Sequence, residues 1–379
     1  MSKIVRVEVG RYDYPVHGSF AKFLKPGPDG RVVRPTVLVR LTDDEGYQGW
    51  GQAVPVPTWA YETPETVEST LRHYLGRVLL GIDPADIAQV HRQMNQAVRP
   101  ALSTGQPLCK AAVDAACHDL VARRRAVLVR DLIPGGRRET VQLSWTVAAP
   151  TLAEAEQQLA EGRARGYRHF NIKVGPPQSL EYDLALAKMV CDFSPDGFHW
   201  VDANTGYDVE TALAAAPKLA DLGIRALESP LPPLNIRGYQ ALKRQGALPI
   251  IMDEGIISPV ETREFIALGM MDGVAMKLGR SSGFAPAQQI VRALREEGLM
   301  ILGSGLTDPD LALAATAHFF CWADIEYPCA LNGPQFLEPA PFFAPLPIAG
   351  DTLRLPAEPG LGLTPTPEVE PLMSVVAAL

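Results

Sequence analysis

Residues 198–230, FHWVDANTGYDVETALAAAPKLADLGIRALESP, hold the pattern that decides the fold. A short apolar run ends in Asp202, a loop follows, an Ala- and Leu-rich amphipathic stretch is stopped by Gly223, and a second short run ends in Glu228. That is a strand, a helix and a strand. The unit recurs in both directions. The apolar runs are VQLSWTV (141–147), HFNIKVG (169–175), FHWVDAN (198–204), IRALESP (224–230), LPIIMDEG (248–255), GVAMKLG (273–279), MILGSGL (300–306) and IEYPCAL (325–331). Helical patterns lie between them, many closed by glycine. Eight βα-type units within roughly 200 residues predict a (β/α)₈-type, TIM-like barrel in an α/β chain rather than an open doubly wound sheet. No eighth helix is evident before LEPAPFFAPLPIAG (337–350), so an irregular closure is expected.

The first part of the chain reads differently. Strand patterns in IVRVEVG and TVLVRLTDDEGYQGWG precede helical patterns in TPETVESTLRHYLGRVLL, DIAQVHRQMNQAV and LCKAAVDAACHDLVARRR. The expected organisation is an N-terminal α+β capping domain over 1–125, a modified barrel over 126–348, and a Pro-rich segment over 349–379 that returns to the cap or wraps the barrel.

Composition narrows the function. The 379 residues are 47% hydrophobic and 21% charged, enough for a sizeable core. Lys plus Arg number 35 against 43 Asp plus Glu, a net charge of −8 with no basic block, which argues against a nucleic-acid partner. Cys109, Cys117, Cys191, Cys321 and Cys329 are odd in number and scattered, as expected of reduced thiols. The richest apolar stretch, LALAATAHFFCWA, falls short of the roughly 18 residues of a membrane span and carries His318, read as a packed side chain. The opening residues alternate like a strand and lack a signal-peptide pattern, so a cytoplasmic location is expected.

In such a barrel the working residues lie at the C-terminal ends of the strands. Five successive strand ends are charged: Lys173, Asp202, Glu228, Asp253 and Lys277, at intervals of 29, 26, 25 and 24 residues, close to one βα repeat each. A single strand-end Asp or Lys is usually a loop cap or a solvated charge; the joint pattern is what carries the reading. Three converging carboxylates repel one another unless a cation neutralises them, and all-oxygen ligands point to a hard divalent ion, Mg²⁺ first and Mn²⁺ second. Such an ion on a substrate carboxylate can stabilise the enediolate left when the adjacent carbon loses a proton. Lys173 would then take the proton from one face while Lys277 returns one from the other.

At these residues the sequence resembles the enolase superfamily, in its muconate-lactonizing-enzyme subgroup, across essentially the whole chain. The resemblance implies Lys-x-Lys on the second strand, Asp-x-Asn on the third, Glu on the fourth, Asp-Glu on the fifth and Lys on the sixth. Here they read N-I-K, D-A-N, L-E-S-P, M-D-E-G and M-K-L-G. It implies Asp202, Glu228 and Asp253 as metal ligands, Lys173 and Lys277 as the acid/base pair, a small carboxylate substrate and self-association into a homo-oligomer. One departure stands out: Asn171 replaces the first lysine, so the extra positive charge beside Lys173 is missing. The eighth strand ends in Ala330-Leu331-Asn332 rather than the Asp-x-Asp of a dipeptide-epimerase ammonium clamp. Asn204 is expected near the metal, and Glu254 either tunes Lys277 or begins a loop. Ser304 lies in GSGLTDPD (303–310), a stretch that either lends backbone N–H groups to an anion or forms a turn with Asp308 as helix N-cap. Specificity is assigned to two cap loops, one with Tyr14, His17, Phe20 and Lys22, the other with Trp50, Gln52 and Val54.

The expected activity is racemisation or epimerisation, with dehydration or cycloisomerisation as exits from the same intermediate. From other classes, a non-catalytic metal-dependent barrel leaves the lysine pair unexplained, and an imine-forming aldolase has no need of three carboxylates.

Overall fold

The computed structural model describes residues 2–17, 26, 30–101, 104–136 and 138–379. Phe20 and Lys22 lie outside the described residues. Strands β1 (Ile4–Pro15), β2 (Val33–Asp43) and β3 (Gln48–Ala53) form an antiparallel sheet. The helix Pro107–Arg124 lies directly on β3. Two glycines permit this approach: a Cβ at Gly51 would stand 1.9 Å from the Ala112 carbonyl oxygen, and one at Gly49 2.2 Å from that of Ala116.

A short strand β4 (Thr140–Gln142) leads into the parallel sheet of β5 (Trp145–Val147), β6 (Phe170–Lys173), β7 (His199–Asp202), β8 (Leu227–Glu228), β9 (Ile250–Met252), β10 (Gly273–Met276) and β11 (Met300–Gly303), paired in sequence order. Seven helices connect or follow these strands. Five begin with a side chain capping the first turn: Thr151, Ser179, Asp208, Asn235 and Ser258. The helix Phe284–Glu296 has no such residue, and Asp114 of the cap domain accepts the Phe284 N–H at 2.7 Å instead. The last, Asp310–Trp322, starts at Pro309 without a side-chain cap, so Asp308 is not its N-cap; Asp308 is buried, with the Thr316 hydroxyl 3.5 Å away.

The eighth apolar run is not a full strand. Its residues Cys329 and Ala330 make parallel bridges to Leu143, just ahead of β5, and to Ser304, just after β11. Pro328 has no N–H to give, which limits a longer ladder. These isolated bridges fall beside the two outer strands, β5 and β11, of the seven-stranded sheet.

The C-terminal segment serves both bodies. Strands β12 (Ile348–Ala349) and β13 (Thr352–Arg354) add to β4, while β14 (Ser374–Ala378) pairs antiparallel with β1. Arg34, fully buried, ties the cap to the loop after β11 by donating to Leu306, Val54 and Pro55 carbonyl oxygens at 2.6–2.9 Å. Among the described residues no helix is long and apolar enough to cross a membrane.

Candidate active site

Strand alternation places the chemistry. Trp200, Ala226, Ile251, Ala275, Leu302 and Ala330 form one buried cluster drawn from successive strands and the run after them. Side chains two residues further along a strand point the same way. Those residues are Asp202, Glu228, Asp253, Lys277, Ser304 and Asn332, so the polar layer lies one step above an apolar plug. All six are buried.

Asp202, Glu228 and Asp253 each present an oxygen within 4.8 Å of the others. Lys173, level with Asp202 across the β6–β7 ladder, donates to an Asp202 oxygen at 2.6 Å. Lys277 donates to Asp253 at 2.7 Å and to the Ser304 hydroxyl at 3.1 Å. The lysines therefore hold the two outer acids, with Glu228 between them on the intervening strand. Trp200 donates its indole N–H to Glu228 at 2.7 Å. Burial first, and the Asp202 charge second, push the Glu228 carboxyl up to about 7.

Asn204 donates to both Asp202 oxygens, from its backbone at 2.8 Å and its amide at 2.9 Å. Its backbone is left-handed (φ 44°), a conformation asparagine tolerates. Glu254 takes the Trp59 indole N–H at 3.0 Å and the Ser229 hydroxyl, and the Asn204 amide lies 3.4 Å from it. Ser229, with φ 41° directly after Glu228, holds a backbone conformation rare outside glycine.

Three participants escaped the sequence reading. Trp59 sets its ring 4.9 Å from the Lys277 amine. Arg280, three residues after Lys277, bonds to Asp253, and burial pulls its pKa down to about 10. Trp200 was legible only as an apolar strand residue.

Among the described residues, the other expected ones make no hydrogen bond to the acid and lysine side chains of the site. Asn171 is buried beneath Lys173, with neither amide atom hydrogen-bonded. Asn332 donates to the Thr146 hydroxyl at 3.2 Å. Trp50 is no mouth residue: it is buried with Arg40 over its ring and Phe343 against its edge. Tyr14 is likewise buried, bonded to Asp310, with Gln52 donating to its hydroxyl at 3.3 Å. Val54 is buried and gives its carbonyl to Arg34. His17 is exposed, and its N–H bonds to the Phe336 carbonyl. His318 is buried in its helix.

The donor set suits a hard divalent cation: three buried carboxylates on adjacent strands, with imidazole and thiolate absent from the cluster. Residues 153–369 match the family model described as enolase C-terminal domain-like, and residues 29–134 match the mandelate racemase/muconate lactonizing enzyme N-terminal domain. The chain belongs to the enolase superfamily. It is 30% identical to chloromuconate cycloisomerase CbnB of Cupriavidus necator, over 83% of this chain and 84% of the relative. It is 26% identical to the L-Ala-D/L-Glu epimerase of Bacillus subtilis (strain 168), over 95% of this chain and 96% of that one. The structure of muconate lactonizing enzyme from Pseudomonas putida superposes with a TM-score of 0.87 at 23% identity, covering 98% and 99% of the two chains. The fold is thus a TIM-like body with an N-terminal domain, and this superfamily member is an isomerase.

Proposed function

We propose that the chain is a Mg²⁺-dependent isomerase of small carboxylates, with cycloisomerisation as its leading reaction. The observation that carries the reading is the trio Asp202, Glu228 and Asp253 with one lysine on each outer acid. The kinship with a chloromuconate cycloisomerase over most of both chains favours cycloisomerisation over the racemisation expected from the lysine pair alone.

Asp202, Glu228 and Asp253 would hold the ion, which when bound neutralises a substrate carboxylate and the charge that develops beside it. The protein supplies the rest. Lys173 or Lys277 delivers the proton to the carbon next to one carboxylate as the other carboxylate closes onto the double bond. Ser304 and the Trp59 ring hold the Lys277 amine, while Asp202 holds that of Lys173. Burial of the polar layer keeps bulk water from the transferred proton. Racemisation is the second reading, favoured by the presence of an amine on either side of the triad. We also propose a cytoplasmic, homo-oligomeric enzyme in which 1–125 caps a closed barrel over 126–348 and 349–379 forms the return segment.

The test is incubation with Mg²⁺ in D₂O of cis,cis-muconate, chloromuconate and enantiopure N-acyl amino acids, read by NMR. Lactone carrying one solvent deuterium is the expected product, lost in Lys173→Met or Lys277→Met. Exchange at the α-carbon of both N-acyl enantiomers, with no lactone, would put racemisation first. Undiminished turnover in both lysine variants would refute the assignment.

A further inference from the structure

Asp253 differs from the other two acids in how it is held. Lys277 donates to one of its carboxylate oxygens and Arg280 to the other, and all three side chains are buried. Arg280 comes from a single turn, Gly279–Ser281, directly after the strand that carries Lys277. Its Nε is buried without a hydrogen-bond partner, so this guanidinium is not locked by a full set of acceptors. Lys277 is better anchored, by Ser304 and by the face of Trp59.

With Lys173 on Asp202, three cations of the chain itself stand against the three acids of the trio. A divalent ion must take an oxygen from each acid at about 2.0–2.1 Å. Two cations sharing one buried carboxylate oxygen repel each other strongly, because little water lies between them. Of the two groups on Asp253, Arg280 is the one with fewer contacts to give up.

We propose that Arg280 is a built-in cationic competitor, holding the Asp253 oxygen that a divalent ion requires and thereby weakening and tuning the affinity of the trio for that ion. This rests on reading the trio as a metal site. A supporting role, in which Arg280 only orients Asp253 for the ion, predicts the opposite sign: its loss would weaken binding about 10–100-fold.

The experiment is titration of the full-length protein with Mn²⁺, the free ion followed by electron paramagnetic resonance and the bound ion by calorimetry. Arg280→Gln should bind Mn²⁺ about tenfold more tightly than wild type, and Arg280→Lys, which keeps the charge, should stay closer to wild type. Equal or weaker binding by Arg280→Gln overturns the competitor role while leaving the metal site intact. Failure of both wild type and Arg280→Gln to bind Mn²⁺ overturns the metal site and this inference with it. Should Arg280→Gln not fold, the wild-type chain carries the test through its ¹⁵N-arginine side-chain signals: the Arg280 resonance, assigned by its absence from Arg280→Lys, should shift and average on adding Mg²⁺. A resonance that Mg²⁺ leaves unchanged, in protein that calorimetry shows to be loaded, overturns the proposal.

Discussion

Glu62 ties cap stability to pH with a sign and size that the structure supplies. Its two carboxylate oxygens accept the backbone N–H groups of Leu108 and Cys109 at 2.7 and 2.9 Å, in the first turn of helix Pro107–Arg124. Gln106, at that helix's own N-cap position, gives no side-chain cap, so Glu62 supplies the acceptor from a distant point in sequence. Burial outweighs these bonds and pushes its pKa from the ordinary 4.5 up to about 7. The folded protein therefore keeps a proton that the unfolded chain has already released. Stability from this group is fully present below 4.5 and is lost as pH rises towards about 7. At about 1.4 kcal/mol per pH unit, the loss across that window is roughly 3 kcal/mol. Glu62→Gln removes the titration. It also leaves one N–H without its acceptor, at a cost of about 1–3 kcal/mol that does not vary with pH. Urea unfolding followed by circular dichroism at steps between about pH 5 and 7.5 separates the two effects. The stability of wild type minus variant should fall by about 2.5 kcal/mol across the range. A difference that stays constant with pH would refute the reasoning.

Two further outcomes follow from contacts at the site and in the cap. Trp200→Phe removes the N–H held by Glu228 and should weaken Mn²⁺ binding about 10–100-fold in a direct titration; unchanged affinity would show that the indole does not orient that acid. Gly51→Ala would drive a methyl group into the Ala112 carbonyl and should lower the free energy of unfolding by about 1–3 kcal/mol or more, read from the urea midpoint; wild-type stability would mean that β3 and its helix do not meet closely.

The charged ring was legible because two regularities coincide. One βα unit separates neighbouring strand ends, and alternation along each strand sends every second side chain to the same face of the sheet. Asp202 follows Trp200, Glu228 follows Ala226 and Lys277 follows Ala275 for that reason. Residues off the ladder carried no such signal. Arg280 sits in a turn, and Trp59 reaches Glu254 from a cap loop whose placement depends on the buried Arg34 staple. The same gap misplaced Trp50 and Tyr14: both lie in strands of the cap sheet, and local alternation does not say which tertiary partners close over them. The last strand shows a smaller failure of the same kind. The run IEYPCAL has the right composition, but only Cys329 and Ala330 pair, and the Pro328 next to them explains the short ladder.

Asn171 and Asn332 show how the polar layer divides. The charged groups occupy β6 through the turn after β10, where acids and amines hold one another. Across β5 the side chains are neutral: Asn332 bonds to Thr146, and Asn171 stands level with Thr146 on the next strand. Asn171 occupies the place of a lysine in the family pattern, and Asn332 that of an aspartate in the dipeptide-epimerase clamp. Asn171 thus takes away one positive charge and Ala330-Leu331-Asn332 two negative ones, and the amides of Asn171 and Asn332 can both donate and accept. A carboxylate desolvated there would meet no counter-charge, whereas a neutral polar group would meet hydrogen-bonding partners. The strand ends that carry the acids and lysines follow the family pattern, and the departures, Asn171 and Asn332, stand on either side of β5.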